Sequence, residues 1–167
     1  LSCLFMIDKT QLRALVKYTL LAINCHSQAA EDLVIGTIAQ ESRMGTYLKQ
    51  LGRGPALGIC QMEPATHFDL WDNYLKYNPG LSSIIWTLAL NNGTFTSDTR
   101  YPEEQQLVGN LYYAIAMCRV HYLRIKAPLP QAGDVAGYAA YWKKYYNTVH
   151  GKGTEQEFIH NWNKYVA

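Results

Sequence analysis

The chain has 167 residues, 15 Lys and Arg against 13 Asp and Glu, and a net charge of +2. That length fits one domain, 1–167, with enough chain to bury a real core, and so even a charge balance does not point to nucleic acid as the main partner. No stretch reaches the ~20 apolar residues that a bilayer-spanning helix needs.

Leu1-Ser2-Cys3-Leu4-Phe5 precedes Met6 and is too short for a signal peptide or a membrane span. Met6 therefore reads as the natural start, with a fragment of a lipoprotein signal as the alternative. Asp8-Lys9-Thr10-Gln11 has the form of a capping box, and Leu12, Leu15, Val16, Thr19 and Ile23 recur on one face of the helix it opens, which should end near Asn24. Ser27 can cap a second helix through Leu33, Ile38 and Glu41, ending around Gly45. Gly52-Arg53-Gly54-Pro55 reads as a loop, and Pro64 suits the first position of a short helix through Ala65, Phe68 and Leu70.

A helix from Ser82 to Leu90 should stop at Asn91-Asn92-Gly93, with a turn or loop from Gly93 to Arg100. The longest apolar pattern opens at Tyr101-Pro102-Glu103-Glu104 and runs through Leu107, Leu111, Ala114, Met117 and Val120 to Ile125. Pro128 and Pro130 end it, and this helix is expected at the buried centre. Another helix is expected from Gly133 to Tyr146. Thr154-Glu155-Gln156-Glu157 should cap a last one that packs back through Phe158, Trp162 and Tyr165. The expected fold class is all-α, and no repeat or linker divides the chain.

Cys3, Cys25, Cys60 and Cys118 show no Cys-x-x-Cys spacing and no paired histidine ligands, so they read as free buried thiols, and neither a metal site nor a cofactor is expected. His67, His121 and His150 fit no Ser/His/Asp or metal arrangement and read as structural histidines. Glu41 is the acid that stands out. On a 3.6-residue period it shares a face with Val34, Thr37, Ile38 and Met44, while Arg43 projects roughly 100° away. Burial without a cationic partner raises a carboxyl pKa, as a general acid working near neutral pH requires.

Sixteen positions beyond Ser42 begins Gly58-Ile59-Cys60-Gln61-Met62-Glu63-Pro64-Ala65-Thr66, which fits Gly-x-x-Gln-Met-x-Pro-x-Thr. With average residue usage, a chance match at any one start is below about one in a million. Together with Glu41-Ser42, this segment resembles the soluble lytic transglycosylase family and the related goose-type lysozymes. Tyr138 to Thr148 is similar to the family's Ala-x-Tyr-Asn segment, although Val149 stands where the family has glycine. Tyr122-Leu123 match a further Gly-x-x-Tyr-Leu element in which Arg119 replaces the glycine.

The resemblance implies a lysozyme-like helical domain that cleaves the β-1,4 bond between N-acetylmuramic acid and N-acetylglucosamine in peptidoglycan. It carries the role of acid and then base to Glu41. Ser42, Gln61, Met62, Tyr145, Tyr146 and Asn147 become substrate-side residues. A tyrosine hydroxyl is expected to reach the catalytic carboxyl group, with either Tyr145 or Tyr146 in that place. From chemistry alone, Gln61 reads equally as a sugar ligand and as a loop-stabilising amide. Tyr47, Tyr141 and Trp142 flank these motifs and offer surfaces for sugar rings. Glu63 sits where the family has an apolar or small residue, either contributing to catalysis or exposed at the turn. Glycan strands are the expected partner, with the bacterial cell wall (the periplasm) as the place of action. A phage-type enzyme, working with virion proteins or at lysis, fits the small size. A hydrolytic lysozyme and a non-catalytic wall-binding or virion module remain the alternatives.

Overall fold

The computed structural model describes residues 6–90 and 100–167, and over that span the chain is all-α. Helix α1 (Lys9–Ala22) starts because the Asp8 carboxylate accepts hydrogen bonds from the Thr10 and Gln11 amides at 3.1 and 3.0 Å. The reciprocal bond of a capping box is not formed, so Asp8 caps the helix alone. Helix α2 (Gln28–Ser42) is capped by Ser27, and every residue from Ala30 to Ala39 is buried. The acids at its start are held by Arg13 of α1, which reaches Glu31 and Asp32 at 3.0 and 2.9 Å. The Tyr138 hydroxyl donates to the other oxygen of Asp32 at 3.1 Å.

Helix α3 (Pro64–Asn73) begins at the expected proline, and a short 3-10 turn (Leu75–Tyr77) leads into α4 (Pro79–Leu90), which starts three residues before Ser82. The loop expected from Gly93 to Arg100, with the Asn91-Asn92-Gly93 stop, falls almost wholly outside the described residues, as do Cys3 and the segment before Met6.

The long helix expected from Tyr101 to Ile125 is two helices, the short α5 (Gln106–Gly109) and α6 (Leu111–Leu123). Asn110 breaks the run by taking an extended conformation. Its side chain accepts from the Tyr113 amide at 3.1 Å and donates to the Leu88 carbonyl of α4 at 3.0 Å, so it caps α6 and ties α4 to it. Helix α6 is the buried centre: residues Tyr113 to Tyr122 are all buried, and α1, α2, α3 and α4 pack around them.

Helix α7 (Val135–Trp142) is shorter than its sequence pattern, because Lys143–Asn147 widens into a π turn. Helix α8 (Glu155–Tyr165) opens with the expected capping box at Thr154 and Glu157, and buries Phe158, Trp162 and Tyr165 against α2 and α7. Gly36 permits that approach. A Cβ there would lie 2.6 Å from the Phe158 ring, too close for any side chain to be added without displacing that ring.

Candidate active site

Glu41 occupies the last turn of α2, and the chain reverses directly beyond it. Arg43, Met44 and Gly45 all take left-handed conformations, with φ of 49°, 58° and 78°. The Ser42 hydroxyl secures the reversal by donating to the Ile38 carbonyl at 3.2 Å and accepting from the Gly45 amide at 2.9 Å. Met44, which pays the steric cost of that conformation, is fully buried. Ser42 is buried too and does not line the cavity below; its hydroxyl bonds end the helix.

The Glu41 side chain forms part of the wall of a cavity of about 680 Å³. Burial pushes its carboxyl up to about 7, against a hydrogen bond from the Trp142 indole N–H, at 2.8 Å from Oε1, that favours the charged form. No Lys, Arg or His forms an ion pair with it among the described residues, and Arg43 is exposed beyond the helix end. Tyr47, also in the cavity wall, donates its hydroxyl to the Glu41 main-chain carbonyl at 2.8 Å.

The glutamine segment makes a tight turn beside Glu41. Leu57 and Met62 exchange both main-chain hydrogen bonds, at 2.9 and 3.0 Å. Gly58, at φ 78°, has its α-carbon so close to α5 that a Cβ would lie 2.0 Å from the Leu107 carbonyl oxygen. Gln61 takes a left-handed φ of 48°, and both its amide and its side-chain Nε2 donate to the Gly58 carbonyl, at 3.1 and 2.8 Å. Its amide nitrogen therefore stabilises the loop, while the residue still lines the cavity beside Met62. Glu63, immediately before α3, is exposed on the same cavity and gives α3 no side-chain cap.

The C-terminal segment closes the opposite side. Tyr146 is in the cavity wall and donates its hydroxyl to the Cys60 carbonyl at 2.7 Å, joining the π turn to the glutamine turn. That corrects the expected contact with the carboxyl group. The single hydroxyl proton is committed to Cys60, and Trp142 is the side chain that donates to Glu41. Tyr145 lies outside the cavity lining, packed 4.6 Å from the Tyr141 ring with the Lys144 ammonium over its face. Tyr141 also turns away from the cavity and donates to the Ala127 carbonyl at 2.9 Å. Asn147 lines the cavity and accepts from Lys143 at 2.7 Å. Lys143 in turn donates to the Gly151 carbonyl at 2.8 Å, fixing the loop that carries His150 and Lys152 along the rim. Thr148 takes a φ of 65° in this longer loop.

Two histidines set aside by sequence reasoning, His121 and His150, line this cavity. His121, on the inner face of α6, is part of the cavity wall, and its signal was its place just before Tyr122-Leu123. Arg119, at the unmatched glycine position, turns elsewhere and donates to the Cys25 carbonyl at 3.1 Å. His67 is a core residue whose Nε2 pairs with the Tyr113 hydroxyl at 2.6 Å, while its Nδ1 is buried without a partner among the described residues. Cys60 and Cys118 are buried free thiols, whereas Cys25 is only partly buried.

Among the described residues, no group of three or more His, Cys, Asp or Glu side chains is placed to hold a metal ion, and no helix is long and apolar enough to cross a membrane. No protein-family model, curated protein or solved structure matches the chain.

Proposed function

We propose that the protein cleaves peptidoglycan glycan strands as a lytic transglycosylase, with Glu41 as its acid and base. The observation that carries this reading is a carboxyl group raised to about 7 in the wall of a cavity large enough for a saccharide, with an indole N–H donating a hydrogen bond to it. Such a group is partly protonated and partly ionised near neutral pH, so it can give a proton and take one back. The motif resemblance through Glu41-Ser42, the glutamine segment and the C-terminal tyrosine supplies the substrate and the linkage.

In the proposed reaction Glu41 protonates the glycosidic oxygen as the bond from the muramic anomeric carbon breaks. The N-acetylglucosamine side leaves as an alcohol. The ionised carboxylate then takes the proton of the muramic 6-hydroxyl, whose oxygen bonds to the anomeric carbon and closes a 1,6-anhydro ring. No water is consumed, and Glu41 returns to its starting state. The internal nucleophile is already tethered, which removes the need for a second carboxylate to position water. The Trp142 N–H steadies the carboxylate between the two steps.

Glu63 favours a second reading. It is a carboxyl group exposed on the same cavity, and one that activated water would yield hydrolysis and reducing ends. Mass spectrometry of muropeptides released from purified peptidoglycan separates the two. Anhydro-muramic ends, lighter by one water, are expected, and reducing muramic ends would move the assignment to a hydrolytic lysozyme. Release of no fragments would leave a wall-binding module.

A further inference from the structure

His121 is 6% exposed and lies near the end of α6, with the Tyr146 ring 4.6 Å away on one side and the Tyr122 ring 6.1 Å away. Neither of its nitrogens makes a hydrogen bond to a described residue. Nδ1 is buried without a partner, while the ring as a whole forms part of the cavity wall. Burial, helped by Arg124 and opposed by Asp69, pushes the ring's pKa down to about 3, so it is an uncharged imidazole at any pH where a cell wall is built. An unpaired polar group in a packed interior costs about 1–3 kcal/mol.

We propose that His121 is a substrate-binding residue, hydrogen-bonding a hydroxyl or acetamido group of the saccharide held in the cavity with Glu41. This inference rests on reading the cavity as a glycan site. A neutral imidazole carries one donor and one acceptor, which suits a sugar hydroxyl that both gives and takes hydrogen bonds. It holds no acidic proton near neutral pH and so does not compete with Glu41.

The test uses full-length Glu41→Gln protein, which binds without cleaving, and a tetrasaccharide of alternating N-acetylglucosamine and N-acetylmuramic acid. Calorimetry should give affinity about tenfold weaker when His121→Phe is added, because one hydrogen bond is lost, with part of that loss recovered by His121→Gln. The ¹⁵N resonances of the His121 ring, observed with His121 intact, should move when the tetrasaccharide is added. That spectrum decides the matter even where the Phe variant melts early. Unchanged ring resonances with tetrasaccharide bound, or undiminished affinity in a folded Phe variant, would mean that the ring meets only water and would overturn the inference alone. No binding of the tetrasaccharide at all would overturn it together with the glycan reading.

Discussion

At the scale of single residues, the site turns on one carboxyl group and the indole that touches it. Burial raises the Glu41 pKa, and the Trp142 N–H pulls it part of the way back by favouring the ionised form. The balance sets where the acid stops being protonated, which under the proposed mechanism is the alkaline limb of the pH–rate profile. Trp142→Phe keeps an aromatic ring in the core and removes that donor, leaving a smaller ring at a buried position. The alkaline limb of kcat/KM should then move upward by about one pH unit, the equivalent of one charge-assisted hydrogen bond. A limb that stays in place or moves down would show that Trp142 does not set the proton affinity of Glu41. Among the residues facing the cavity, Glu41 was legible in the sequence because helical period alone put it on a buried face. The partners of the two tyrosines were not legible. Which of Tyr145 and Tyr146 faces inward depends on the widening of one turn, and no side-chain pattern in Lys143-Lys144-Tyr145-Tyr146-Asn147 announces a π turn.

At the scale of elements, the site is assembled where helix ends meet turns: the end of α2, the glutamine turn, the end of α6 and the π turn after α7. The caps were readable, since Asp8, Ser27 and Thr154 stand just before their helices and each accepts a bond from the first turn. The break at Asn110 was not, because the apolar spacing runs unbroken across Gly109-Asn110 and the decisive bond goes to Leu88, far away in sequence. Gly58 is the point where the glutamine turn is pressed against α5. Gly58→Ala would force a Cβ to within 2.0 Å of the Leu107 carbonyl oxygen at a φ of 78°. Left-handed backbone alone costs a non-glycine residue roughly 1–2 kcal/mol, and the backbone displacement adds to it. The variant should therefore lose at least ~2 kcal/mol of stability in denaturant unfolding and lose activity with it, because Tyr146 is anchored to this same turn. A variant of wild-type stability would contradict the close packing of the turn on α5.

At the scale of the whole molecule, buried titratable groups pull stability in opposite directions as pH changes. Burial lowers His67 to about 4 and His121 to about 3, whereas both sit near 6.5 in an unfolded chain. Below about 6.5 the unfolded state takes up protons that the folded state refuses, so stability is lost as pH falls from there toward 3. Hydrogen bonds from Asn73 and Arg124 hold the Asp69 carboxyl below its usual range, which acts in the same direction. Glu41 acts oppositely. Its folded pKa is raised, so its favourable contribution is fully present below about 4.5 and is lost as pH rises through about 7. Glu41→Gln should therefore match wild type near pH 4 and exceed it above pH 7, by at most ~3 kcal/mol in urea unfolding. An equal difference at both pH values would mean that Glu41 is not held protonated in the fold. The most direct test of the account is cleavage of purified peptidoglycan by wild type and Glu41→Gln, followed by loss of turbidity, with cosedimentation reporting binding. Wild type should clear the suspension, and the variant should bind the sacculi yet retain less than about one hundredth of the activity, as loss of a general acid–base predicts. A variant that cleaves above that level, or a wild type that binds and never cleaves, would contradict Glu41 as the group that does the chemistry.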